Sequence, residues 1–137
     1  VIRYREKEKK EAIYMKKQYI EWILRIGVAG EFLGHGMLAL QGKQQWVGWM
    51  QQMTGFDTPV ATQALFVIGL SDVLVAFIVL VKPMRPVLLW ATFWGFWTAL
   101  LRPLVGESVL DFVERSANWA APLALYFLLE KQKKGSR

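Results

Sequence analysis

The sequence predicts an all-α integral membrane protein: a four-helix up-down-up-down bundle with both termini cytoplasmic. Three observations carry this. Hydrophobic residues fill 54% of the 137 positions and the mean hydropathy is +0.25, more apolar than an ordinary soluble domain. Four apolar stretches of about 20 residues alternate with short polar or Pro/Gly-containing segments, and each is long enough to cross a bilayer. Lys and Arg collect on alternate connections, which sets orientation by the positive-inside rule.

Composition narrows the rest. Seven Trp, eight Phe and four Tyr suit a protein anchored at two water interfaces. The absence of cysteine excludes disulfides and thiol redox chemistry. A single His excludes a bis-His haem and a His-rich metal site within this chain, so no haem or metal is expected. Net charge is +6, but it sits mostly in the tails and does not argue for nucleic acid.

Residues 1–18 are charged and free of Pro and Gly, and they read as a basic cytoplasmic helix leading into the first span. Glu6 and Lys10 form an i,i+4 pair in the favourable order. The transmembrane domain covers 19–130. Its first span, about 19–40, carries Glu31 and His35 one turn apart on one face. Gly27, Gly30 and Gly34, with Gly36 beyond, predict close approach of a neighbouring helix.

Residues 41–59 are too polar to span. Trp46, Trp49, Met50 and Met53 at helical spacing predict an interfacial helix over about 44–54, with Gly55 as its stop. Thr58 and Pro59 look like the cap and first turn of the next helix.

The second span, about 60–81, places Asp72 near its midpoint. A turn with two prolines and two cations leads to the third span, about 86–105. That span is rich in aromatics and ends near Arg102. The fourth, about 109–129, follows Gly106, and Ser108 with Asp111 resembles a capping box. A basic tail, 131–137, completes the chain. The N-terminal arm, the 82–86 turn and the tail hold most Lys and Arg. The opposite side has Lys43, with Arg102 and Arg115 inside predicted spans.

Depth follows from 1.5 Å per residue. His35, Glu31, Arg102, Glu114, Arg115 and Asn118 all fall within ~5–14 Å of the outer end of their spans. Asp72 lies deeper. An ionised group in hydrocarbon costs about 2.5–3.5 kcal/mol on insertion scales, so such a layer predicts inward-facing partners. The expected pairs are Glu31 with Arg102 or Arg115, and Glu114 with the other. His35 is the member whose charge changes near neutral pH. Pro122 cannot donate to the Asn118 carbonyl, which leaves that oxygen available at the same level. Trp94, Trp97 and Thr98 of the third span would line the site. The bland reading of the same residues is a satisfied polar network that fixes helix register.

Arg25 followed by Gly27, then Glu31-Phe32, His35-Gly36, Lys43 and Trp46, resembles the first span of DoxX-like membrane proteins. The resemblance covers about residues 19–130. It implies a four-span bacterial inner-membrane protein that acts as a subunit or partner of oxidoreductases, DoxD of thiosulfate:quinone oxidoreduction among them. The disulfide-linked activity of MauE-like relatives does not carry over, because there is no cysteine.

Three functions compete. The first is a non-catalytic subunit of a redox complex whose pocket binds a quinone or relays protons. The second is a purely structural interaction subunit of a larger membrane assembly, with a protein partner or a second copy. The third is a small proton- or solute-conducting protein using Asp72, Glu31 and His35, for which four spans are few and no inverted repeat is visible.

Overall fold

The computed structural model describes residues 1–135, with side chains to Lys131. Arg137 of the basic tail lies outside the described residues. All regular structure among the described residues is helical: α1 Ile2–Leu40, α2 Gln44–Thr54, α3 Thr58–Val81, α4 Arg85–Leu104, α5 Val109–Val113 and α6 Ser116–Gly135. Of these, α1, α3 and α4 are long and apolar enough to cross a membrane. Their outward surface agrees. Ile26, Val67, Leu74, Phe77 and Phe93 are each more than half exposed, a surface that lipid accepts and water does not.

The arm at 1–18 and the first span form one helix, α1, without a break. Nothing between them stops a helix, because there is no Pro and no residue with positive φ. Residues 1–16 are all exposed. The ion pair found there is Lys7–Glu11 at 4.0 Å, with both side chains more than two-thirds exposed, so its contribution to stability is small.

Farther along, Arg25, Val28, Ala29, Phe32, Gly36 and Ala39 form the buried stripe of α1. This stripe packs against α3, and the partners fix the direction. Arg25 meets the end of α3 at Val79 and Val81, whereas Gly36 meets Gly69. The two helices are therefore antiparallel. A Cβ on Gly36 would lie 2.9 Å from the Gly69 carbonyl oxygen, and one on Gly69 would lie 2.8 Å from that of Gly36. The backbones approach as closely as two glycines permit. Gly27, Gly30 and Gly34 have open space where a side chain would stand. The small-residue contact is thus made by Gly36, because the other three lie on the face turned away from α3.

Arg25 closes the inner end. It donates to the carbonyls of Val79 (3.2 Å), Leu80 and Val81 (3.0 Å). The last carbonyls of a helix lack intrahelical donors and carry the negative end of its dipole. Glu21 pairs with the same guanidinium at 3.5 Å, and the Trp22 ring lies 3.9 Å from it.

The pairing of α4 with α6 is also antiparallel. Arg85 reaches the Tyr126 hydroxyl at 2.8 Å and Glu130 at 3.6 Å, while Gly95 faces Asn118. Pro122 leaves the Asn118 carbonyl without its helical donor, and a Cβ at 95 would meet that carbonyl group, with its carbon at 2.9 Å. Glycine at 95 makes room for the displaced backbone. A core of Val28, Phe32, Val79, Leu88 and Leu125 joins α1, α3, α4 and α6.

Two local expectations are corrected. The cap of α3 is Asp57, whose Oδ1 accepts from the Val60 N–H at 3.0 Å; Thr58 and Pro59 are its first helical residues. The stretch expected as one span over 109–129 is divided into α5 and α6 at Glu114–Arg115. An adjacent acid and base turned toward one another interrupt the apolar run at that point. Ser108 caps α5 through its hydroxyl, which accepts from the Leu110 N–H at 3.1 Å.

Candidate functional site

A cavity of about 200 Å³ lies between α1, α2, α3 and α4. Its roof is α2. Val47 is buried, and Trp46 and Met50 pack with it on Ala39, Ala61 and Leu65, while Gln44, Gln45 and Gln52 face outward. Sharp reversals at both ends lay α2 across the helices: Gly42 has φ +67° and Gly55 has φ +75°, values that favour glycine.

Two aromatic residues fix the roof. Trp46 meets the His35 ring edge-on at 5.5 Å, with the Lys43 ammonium 4.9 Å from its ring. Trp49 lies 5.0 Å from the Arg102 guanidinium. Lys43 is exposed and Arg102 only partly buried, so each cation–π contact is worth about 0.5–1 kcal/mol.

The walls are apolar, from Ala39, Leu65, Ile68, Trp97 and Leu101. Met53 and Thr54, exposed at the end of α2, form the rim. Asp72 marks the inner end and is 3% exposed. Trp94 is the side-chain donor facing its carboxyl, and Trp94 is itself stacked on Trp90 at 5.5 Å.

Three buried polar atoms around this cavity have no hydrogen-bond partner among the described residues: Trp46 Nε1, Asp72 Oδ1 and Arg102 Nε. They belong to three different helices. Leaving one such group unsatisfied costs about 1–3 kcal/mol, and buried polar atoms in native structures almost always have partners. Three together around one space mark a place built to receive something polar.

Charge differs along the same axis. The outer end carries the cations Arg102, Arg115 and Lys43 around His35, with Asp111, Glu114 and Glu107 acting on Arg102. Glu31 and Asp72 are the acids nearer the inner end, close enough to repel one another.

Of the residues picked from sequence, His35, Asp72, Trp94, Trp97, Thr98 and Arg102 line the cavity. The Thr98 hydroxyl is turned back onto its own helix, donating to the Gly95 carbonyl at 3.3 Å. Glu31, Glu114, Arg115 and Asn118 do not line it.

The expected cross-helix ion pairs do not form. Arg115 pairs with its neighbour Glu114, Arg102 lies over the Trp49 ring, and the charge acting on Glu31 is that of Asp72. The reason is rotational. The cavity-facing side of α4 looks toward α2 and α3, whereas Glu114 and Arg115 sit at the α5–α6 junction. Glu114 is also 62% exposed.

The site therefore lies between α1, α2, α3 and α4, and α6 does not enter it. Among the lining residues that the sequence did not place in the site are Trp46, Trp49 and Met50. Their helical spacing predicts the apolar face of an interfacial helix and does not say that this face covers a cavity. No cluster of three His, Cys, Asp or Glu side chains able to hold a metal occurs among the described residues. No family model, curated protein or solved structure matches this chain.

Proposed function

We propose that this chain is a multi-pass bacterial inner-membrane protein of DoxX-like type, a non-catalytic subunit of a redox assembly whose cavity holds the ring of a quinone-like, lipid-soluble molecule. In this reading the helices form a four-span up-down bundle with α5 and α6 together as the fourth crossing, and both termini are cytoplasmic. The clustering of Lys82, Arg85 and the α1 arm at the end of the molecule opposite α2 supports that orientation.

The observation that carries the ligand reading is the set of three unpartnered polar atoms around an apolar, tryptophan-lined space. An engineered cavity of about 150 Å³ takes up benzene, so about 200 Å³ fits one substituted ring. Apolar walls with a few convergent polar groups are the usual composition of such sites. Trp94 and Trp97 offer ring contacts, and Trp46 and Arg102 offer hydrogen bonds to a ring oxygen. Electrons would come from a partner protein, since the chain encodes no redox centre.

Solvent extraction of protein purified in mild detergent, followed by mass spectrometry, tests this. A single-ring quinone or quinol is expected near one per chain, and Arg102→Leu is expected to reduce it severalfold. Protein that carries no ring compound, and that takes up none when ubiquinone or menaquinone analogues are added, would overturn the reading.

A second reading, an interaction subunit without a ligand, is favoured by one feature. Residues 1–16 of α1 are all exposed and extend ~24 Å along the helix axis. Charge reversal at Lys7, Lys9 and Lys10 would then abolish assembly while leaving the cavity intact.

A further inference from the structure

The unpartnered atoms are not equivalent, and their difference specifies the ligand further. We infer that the cavity recognises a ring by two poles, accepting an oxygen acceptor at the outer end and a hydroxyl at the inner end, so that it prefers a phenolic ring to one without a hydroxyl there. This rests on the reading of the cavity as a ring-binding pocket.

The outer pole consists of donors. Trp46 Nε1–H and Arg102 Nε–H have no acceptor function, and both are buried without a partner. Lys43 and His35 stand beside Trp46. The side chains there that can accept from a ligand hydroxyl are His35, whose ring lies against Trp46, and the Thr54 and Thr98 hydroxyls, which are already engaged with the backbone. A carbonyl, ether or phenolate oxygen is the complementary group.

The inner pole is an acceptor. Asp72 Oδ1 is unpartnered, Trp94 faces the carboxyl as a donor, and Glu31 brings a second acid nearby. Ionised, the carboxyl only accepts; protonated, it still keeps acceptor capacity. A ligand hydroxyl is satisfied in either state. A second ring carbonyl would be satisfied only by the acid form, and opposite a carboxylate it would set two acceptors face to face.

The poles are separated along the helices. Eight residues from Trp94 to Arg102 rise ~12 Å, and seven from Leu65 to Asp72 rise ~10 Å. After side-chain reach is subtracted, that interval suits groups on opposite sides of one ring.

The test uses two nearly isosteric probes, 4-methoxyphenol and 4-methylanisole, which differ by a hydroxyl in place of a methyl. Binding to the full chain in lipid nanodiscs is measured by calorimetry for wild type, Asp72→Leu, Asp72→Asn and Trp46→Phe. The quantity read is the ratio of the two affinities, which cancels membrane partitioning when variants are compared.

We expect the ratio to favour the phenol by about tenfold or more in wild type relative to Asp72→Leu, in line with one unmet polar group. Asp72→Asn, which keeps an acceptor oxygen, should retain most of it. Trp46→Phe should weaken both probes alike and leave the ratio unchanged.

Equal ratios in wild type and Asp72→Leu would overturn the inner pole. A ratio altered by Trp46→Phe would overturn the assignment of poles even if Asp72→Leu did not fold. In both cases probes that still bind leave the pocket reading standing. If neither probe binds wild type, the pocket reading falls, and the two poles with it.

Discussion

Arg25 and Arg102 both interrupt apolar stretches of helix, and the chain treats them in opposite ways. Arg25 is 8% exposed and surrounded: three carbonyls of α3, Glu21 and the Trp22 face use up its donors and its charge. Arg102 stands at the other end of the bundle with Nε unpartnered, its guanidinium resting on Trp49 beside a cavity. Each incurs a cost for taking charge out of water, larger for the buried Arg25 than for the partly exposed Arg102. Around Arg25 that cost is offset inside the protein, so the residue reads as part of the fold. Around Arg102 it is only partly offset, and the remainder is available to a ligand. A charged residue in a span is thus diagnostic of function only after its partners have been counted.

The largest effect that would sharpen this contrast lies at the α1–α3 crossing on which both ends depend. Gly36→Leu should yield no folded protein by size-exclusion chromatography, because even a Cβ would lie 2.8 Å from Val73 Cγ2. Next, Arg25→Ala should destabilise by about 3 kcal/mol or more, because three carbonyls lose their donor and Glu21 loses one of its partners. Reversible unfolding in mixed micelles would measure it. Arg102→Leu should change that same stability by less than about 1 kcal/mol, with the ligand-binding loss described above. Equal destabilisation by the two arginine variants would break the comparison outright. The smallest effect is Gly34→Ala, which meets open space and should stay within about 0.5 kcal/mol.

Much of the architecture was legible. Length and apolarity announce α1, α3 and α4, and the spacing of Trp46, Trp49 and Met50 announces α2. Gly55 ends α2 in the left-handed conformation that sequence suggested. His35, Asp72 and Arg102 follow from polarity and depth, and Trp94, Trp97 and Thr98 from the face of the third span; all six line the cavity. What failed was pairing. Depth counting places Glu31, Arg102 and Glu114 in one layer but carries no information about which way each helix is turned, and a rotation of 100° per residue separates partners from strangers. The same blindness made Gly27, Gly30 and Gly34 look like a packing face when Gly36 makes the contact. Pro122 was read correctly as freeing the Asn118 carbonyl. That Gly95 receives it could be known only once α4 lay against α6.

By itself the sequence determined that the chain is helical, that long apolar stretches suit a bilayer, and where polar groups interrupt them, because those properties follow from local composition and periodicity; that three of the four expected spans are single helices long and apolar enough to cross is seen in the structure. Only the tertiary structure decided which polar groups are answered and which are left facing a cavity, because that depends on how each helix is rotated against its neighbours. Arg25 and Arg102 are both isolated cations in apolar stretches when read along the chain. Packing alone gives one of them a full set of partners and leaves the other beside an open space.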